Sequence, residues 1–253
     1  MDRTLFDAAC ARALLRKSEG GGIGMLGEKS LHSSLKYYYE PDASLHERET
    51  LGFIADIRNE NGVIEIQTRN LFSMKRKLES FLSEYEVTIV HPVIRRRRLI
   101  YLDSDTGELS RPRLSPRKGR TEDAYRELVH IREFIGRPGL HVIVPLVDAE
   151  EYRMRGAGKS RRRGGNADLK YELLPTELVS ETRLFTPKDH IGLLPERFFE
   201  NGKLRPFTVS ELASELKLAR MTASAMCAVM CSCGALTRER KGRAFVYCME
   251  ESA

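Results

Sequence analysis

Residues 51–68, LGFIADIRNENGVIEIQT, decide the fold. GFIADIR (52–58) and VIEIQT (63–68) have strand composition, and Asn59-Glu60-Asn61-Gly62 joins them. Asn-Gly is a strong hairpin signal because both residues tolerate positive φ. Period-2 geometry sets Glu65 and Gln67 on one face of the second strand with Val63, and Ile64, Ile66 and Thr68 on the other. Asp56, near the end of the first strand, then reaches the same edge of the sheet as Glu65. Carboxylates on neighbouring strands are how proteins hold a hard divalent cation for phosphodiester chemistry.

Working outward, a helix is predicted over Glu28–Tyr39, stopped by Pro41 and Asp42. LHERET (45–50) is a further strand, and its His46, Glu47 and Glu49 alternate sides as on a solvated edge. A helix follows from about Phe72 to Glu84, with Met74, Leu78, Phe81 and Leu82 on one side and Lys75, Arg76, Lys77 and Glu79 largely on the other. Val87–Val90 is a continuous apolar run suited to a buried strand. The order is αβββαβ. On the first helix Glu28, His32 and Lys36 form one stripe at i, i+4 and i+8; packing or hydrogen bonding is the expected role of His32.

This stretch, residues 24–91, resembles the PD-(D/E)xK nuclease superfamily. That family has an αβββαβ restriction-endonuclease-like core with a mixed sheet, an Asp ending the second strand and (D/E)xK on the third. Asp56 matches the Asp, Glu65 the acidic position and Ile66 the apolar x; Glu28 matches the first-helix Glu of many members. The resemblance implies Mg²⁺ (or Mn²⁺) held by Asp56 and Glu65 with help from Glu28, attack by a metal-bound water, and a 3′-hydroxyl leaving group. Gln67 departs from the pattern, standing where the family usually has Lys. It can hydrogen-bond a water or a phosphate but brings no charge. Lys36, Lys29 and Arg69 are the candidate replacements, with Lys36 preferred because it shares the stripe of Glu28. Many members act as dimers that cut both strands, so a homodimer is an expected assembly.

Beyond the core, a hairpin is expected from RRLIYLD and GELSRPR, turning at 104–107. A helix over Thr121–Ile135, a buried strand over Leu140–Val147 and a mobile Gly/Arg-rich segment at 156–168 follow. Residues 169–205 are ambiguous, with strand-like YELL and ETRLF and a short helix near Lys188–Leu194. Thr208-Val-Ser-Glu211 is a capping box. It opens a helix, a turn at Lys217-Leu218, a second helix over Ala219–Ser232 and two short strands around Lys241-Gly242, which is the winged helix-turn-helix pattern. The expected organisation is a leading helix and Gly-rich linker (1–23), a nuclease-like α/β domain (24–200, with a basic extension over 92–200) and a winged helix (206–253).

Lys and Arg number 42 against 36 Asp and Glu, a net charge of +6 over 253 residues. The excess gathers in Arg95-Arg96-Arg97-Arg98, in Arg117, Lys118 and Arg120, and in Arg161-Arg162-Arg163. With Arg220 and Thr222 on the second helix of the C-terminal unit and Arg240, Lys241 and Arg243 in its hairpin, these are the candidate DNA contacts. No apolar run approaches the roughly 18 residues of a membrane helix, and the N-terminus lacks the character of a leader. Five cysteines without framework spacing predict a reducing cytoplasm. Cys227, Cys231, Cys233 and Cys248 suit a helix core better than zinc. DNA is the expected partner, with no membrane and no small-molecule cofactor. The alternatives are a nuclease-like DNA-binding regulator that does not cut, and a protein-interaction scaffold.

Overall fold

In a computed structural model that describes residues 1–19, 30–103, 106–159, 166–242 and 244–249, helices α1 (Arg3–Glu19) and α2 (Ser30–Tyr39) precede an antiparallel meander. Its strands are β1 (His46–Thr50), β2 (Phe53–Asn59) and β3 (Gly62–Ile66). Leu51 and Gly52, at φ 49° and 77°, make the first turn. Positive φ at both central residues gives a type I′ turn, whose twist matches that of the strands it joins. The second turn is not built on Asn-Gly as its centre. Glu60 and Asn61 are the loop, the Asn59 side chain accepts from the Asn61 N–H at 3.0 Å, and Gly62 already belongs to β3. Gly62 is needed for another reason: at φ 117°, a Cβ there would sit 2.2 Å from the Glu86 carbonyl oxygen.

A 3₁₀ turn (Leu71–Met74) and α3 (Lys75–Phe81) cross over to β4 (Val87–Val90), which pairs in parallel with β3. β5 (Val93–Leu102) and β6 (Arg113–Leu114) form an antiparallel pair. The expected helix over 121–135 is instead a 3₁₀ turn (Thr121–Ala124), a single α-turn α4 (Tyr125–Leu128) and another 3₁₀ turn (Val129–Ile131). β7 (Leu140–Lys159) and β8 (Asn166–Leu184) follow. The sheet order is β1-β2-β3-β4-β7-β5-β6, with β8 antiparallel to β7. The protein is thus mixed α/β on a mixed sheet.

Of the Gly/Arg-rich segment expected to be mobile, residues 156–159 and 166–168 belong to strands and 160–165 lie outside the described residues; the strand-like YELL and ETRLF are one strand, β8. Charge pairing between strands holds the polar part of the sheet. The arginine run of β5 lies beside Asp148-Ala-Glu-Glu151 of β7, so two segments too polar to be read as buried strands neutralise each other.

Two apolar layers flank the sheet. Phe6, Leu31, Leu35 and Tyr37 of α1 and α2 pack with Ile57, Ile66, Val90 and Ile143 on one face. Val63, Val87 and Ile89 pack on the other with Leu78 and Phe81 of α3, Tyr125, Leu128 and Phe134. After α5 (Pro187–Ile191) and the small hairpin of β9 (Phe199–Glu200) and β10 (Lys203–Leu204) comes a C-terminal unit: α6 (Val209–Glu215), α7 (Arg220–Ser232), β11 (Thr237–Lys241) and β12 (Ala244–Cys248). Its capping box forms as expected, with Glu211 Oε2 accepting from the Thr208 N–H at 2.7 Å and Thr208 Oγ1 from the Glu211 N–H at 3.2 Å. The unit shares the second core: Ala223, Met226, Val229 and Met230 of α7 lie in one cluster with Tyr125 and Leu128. The change of pattern near residue 206 is therefore not a break in packing.

Gly62→Ala combines a forbidden φ with a backbone clash and is expected to cost about 2–3 kcal/mol. Gly52→Ala, at φ 77° with no atom within 4 Å of the new Cβ, is expected to cost about 1 kcal/mol. Urea unfolding of the two variants checks the ranking.

Candidate functional site

β2 and β3 pair only as far as Ile57↔Ile64. Beyond that point the strands part, and two carboxylates take the place of backbone acceptors. Asp56 Oδ2 accepts from the Ile66 N–H at 2.8 Å, and Glu65 Oε1 accepts from the Asp56 N–H at 3.3 Å. Asp56 and Glu65 are thereby locked together, as the sequence led us to expect.

Each carboxylate has a cationic or ionisable partner from a different layer. His32 Nε2 of α2 lies 3.1 Å from Asp56 Oδ2, and Lys77 Nζ of α3 lies 2.7 Å from Glu65 Oε2. Glu65 is 2% exposed. Burial first, and then the charge of Asp56, pushes its carboxyl from 4.5 up to about 7, with Lys77 pulling the other way. Burial acts on Asp56 in the same direction, but the bond to and charge of His32, the Ile66 N–H and the charge of Lys77 hold its carboxyl below the ordinary value.

Lys77 is the residue missed by sequence reasoning. Helical periodicity places it largely on the side opposite Met74, Leu78 and Phe81, which face the core. Its flexible stem instead carries the ammonium back to β3. Lys36, the expected substitute for a motif lysine, is elsewhere engaged: it is 1% exposed and its ammonium bonds Glu47 Oε1 at 2.9 Å. Gln67 lies just past the end of β3. Its backbone carbonyl is 2.6 Å from His91 Nδ1, and its side-chain amide donates to the Asn70 carbonyl at 3.5 Å, toward the following loop. Glu28 and Lys29 lie outside the described residues.

A divalent cation suits the pair on two grounds. Two carboxylates abut, with burial and then the charge of Asp56 raising Glu65, and Asp56 Oδ1 takes no hydrogen bond from a described residue. Among the described residues no three His, Cys, Asp or Glu side chains gather to hold a metal, so a third protein ligand would come from elsewhere. The five cysteines are free thiols.

The expected DNA contacts divide. Arg95 is bound bidentately to Asp148 at 2.8 and 2.6 Å, Arg97 to Glu151 at 2.8 Å, and Arg98 lies 3.7 Å from Glu150. Arg120 donates to the Leu216 carbonyl and pairs with Glu122. Thr222 is 1% exposed, so its hydroxyl is closed off from any nucleic acid; the face of α7 that carries it packs into the core. Arg96, Arg117, Lys118, Arg220, Arg240 and Lys241 are exposed. Arg161, Arg162, Arg163 and Arg243 lie outside the described residues. Among the described residues, no helix is long and apolar enough to cross a membrane.

Residues 29–184 match the family described as a domain of unknown function, DUF8091, and this chain belongs to it. The match runs from α2 to β8, so it holds Asp56, Glu65 and Lys77. An uncharacterized protein of Treponema pallidum (strain Nichols) is 31% identical over 141 residues, covering 55% of this chain and 56% of that protein. The match thus spans about half the length of the curated relative. No solved structure matches the chain.

Glu65 gives a pH signature. Between pH 4.5 and about 7 the folded protein holds a proton there that the unfolded chain has lost. Its contribution to stability is therefore full below about 4.5 and is lost as pH rises through about 7. Relative to Glu65→Gln, the wild type is expected to lose roughly 1–3 kcal/mol over this window, read from urea unfolding at a series of pH values.

Proposed function

We propose that the chain is a metal-dependent endonuclease acting on DNA, with a restriction-endonuclease-like core and a C-terminal unit of winged-helix type. One observation carries this: Asp56 and Glu65 meet where β2 and β3 part, with the ammonium of Lys77 against Glu65. The element order and the antiparallel β1-β2-β3 joined in parallel to β4 support it. The departure at Gln67 loses its force, because a lysine reaches the acidic residue from α3.

Asp56 and Glu65 would hold the cation. When bound, a divalent cation makes a water nucleophilic near neutral pH and neutralises phosphate charge. Glu65 would have to be ionised to hold it, since a ligand carboxyl gives up its proton. Lys77, whose ammonium lies 2.7 Å from Glu65 Oε2, would offer its positive charge to the phosphate. His32 fixes Asp56 in orientation and favours its ionised form.

The test is incubation of the purified protein with linear, nicked and branched DNA in Mg²⁺ or Mn²⁺. Asp56→Ala, Glu65→Ala and Lys77→Ala are each expected to lower cleavage about 100-fold or more, and Gln67→Ala to change it less than about threefold. Activity surviving Lys77→Ala, or lost in Gln67→Ala, would overturn the assignment of the lysine. Tight DNA binding with no product in either metal would identify a DNA-binding regulator instead.

A further inference from the structure

A cleft of about 910 Å³ opens between the loop after β6, the α4 region and α7. Its walls carry Arg117, Lys118, Arg126 and His130 from one side, beside the carboxylates of Asp123 and Glu127, which accept from the backbone N–H groups of Arg120 and Leu71, and Met221 of α7 from the other. Arg95, Arg97, Arg98, Arg120 and Arg153 are matched to carboxylates within the fold, whereas Arg117, Lys118 and Arg126, like the exposed Arg96 and Arg240, form no ion pair with a described residue. What sets Arg117, Lys118 and Arg126 apart is that they line one cleft. Met221 is 73% exposed, a large apolar side chain left open at the mouth of a charged cleft.

We infer that this cleft binds a single strand of nucleic acid, and that α7 is one wall of it. This rests on the nucleic-acid reading above and narrows its substrate to DNA with a single-stranded segment. The volume lies in the range of sites for small ligands, about 300–1,000 Å³. A double helix, wider than its own major groove of about 12 Å, could lie only across the mouth of such a cleft, whereas a single strand can enter it. Unpaired cations track a phosphate backbone, while the His130 ring, the arginine planes and the Met221 thioether offer flat or polarizable surfaces to unstacked bases. The α7 side chains also argue against insertion into a major groove. Thr222, Ala225 and Met226 are buried, leaving Arg220, Met221 and Ser224 as the exposed side chains of its first turns. The cleft wall is tied by a hydrogen bond to the segment that follows β3. Glu127 on its wall accepts from the Leu71 N–H at 3.0 Å, and residues 67–71 lead directly from the end of β3.

The experiment is fluorescence anisotropy in EDTA with labelled fifteen-residue oligo(dT), a blunt duplex, and the same duplex carrying a single-stranded oligo(dT) tail. The two probes with a single strand are expected to bind about tenfold or more tighter than the blunt duplex. Exposed-site variants Lys118→Glu and Arg126→Glu should weaken oligo(dT) binding about tenfold or more while changing blunt-duplex binding far less. Arg117→Ala combined with Arg126→Ala should flatten the salt slope for oligo(dT) by about 1.4, from about 0.7 per phosphate contact. Equal affinity for the blunt duplex, or oligo(dT) binding indifferent to the three cations, would overturn the inference. So would thymidine monophosphate binding as tightly as the oligonucleotide, which marks a mononucleotide site. Because binding is measured without metal, failure of this inference leaves the cleavage result untouched, and absence of cleavage leaves this result untouched.

Discussion

Two backbone N–H groups, those of Asp56 and Ile66, lose their ladder partners where β2 and β3 part, and the carboxylates of Glu65 and Asp56 satisfy them. A buried N–H without an acceptor costs about 1–3 kcal/mol, so this exchange lets the sheet open without a penalty at the gap. It also forces two acidic groups together, Glu65 buried and Asp56 partly open to solvent. The remainder of the site answers that concentration of negative charge: His32 from one layer, Lys77 from the other, and a Glu65 that holds its proton toward neutrality.

Elsewhere the chain deals with charge by pairing it. The β5 arginines meet the acidic stretch of β7, and buried Glu151 receives both Arg97 and Arg153. Strands this polar are held in a sheet because their cross-strand neighbours are of opposite sign. Other cations of the described residues form no ion pair, and the cleft beside α7 gathers three of them, Arg117, Lys118 and Arg126. The distribution of net charge along the sequence is thus a poor guide to where a polyanion would lie.

Local features were legible in the sequence. The hairpin at Asn59–Gly62, the apolar β4 and the Thr208–Glu211 box depend on residues a few positions apart, and each appears where expected. The pairing of Asp56 with Glu65 was legible for the same reason. Lys77 was not, because its role depends on how α3 docks on β3. Helical periodicity reports which side chains face the core but not where a long polar one can reach. Thr222 failed in the same way: which face of α7 is covered is decided by Tyr125 and Leu128, almost a hundred residues earlier. The length of β7 and β8 was hidden because their charges make sense only beside β5.

The central claim is that Asp56 and Glu65 form one cation-demanding site. Titration of Mn²⁺ into the protein at pH 6 and pH 8, followed by the electron paramagnetic resonance of the free ion, tests it most directly. One Mn²⁺ bound more tightly at pH 8 than at pH 6, because Glu65 must release its proton, and lost in Asp56→Ala, is the predicted result. Binding that is absent at both pH values, or that persists unchanged in Asp56→Ala, would contradict it.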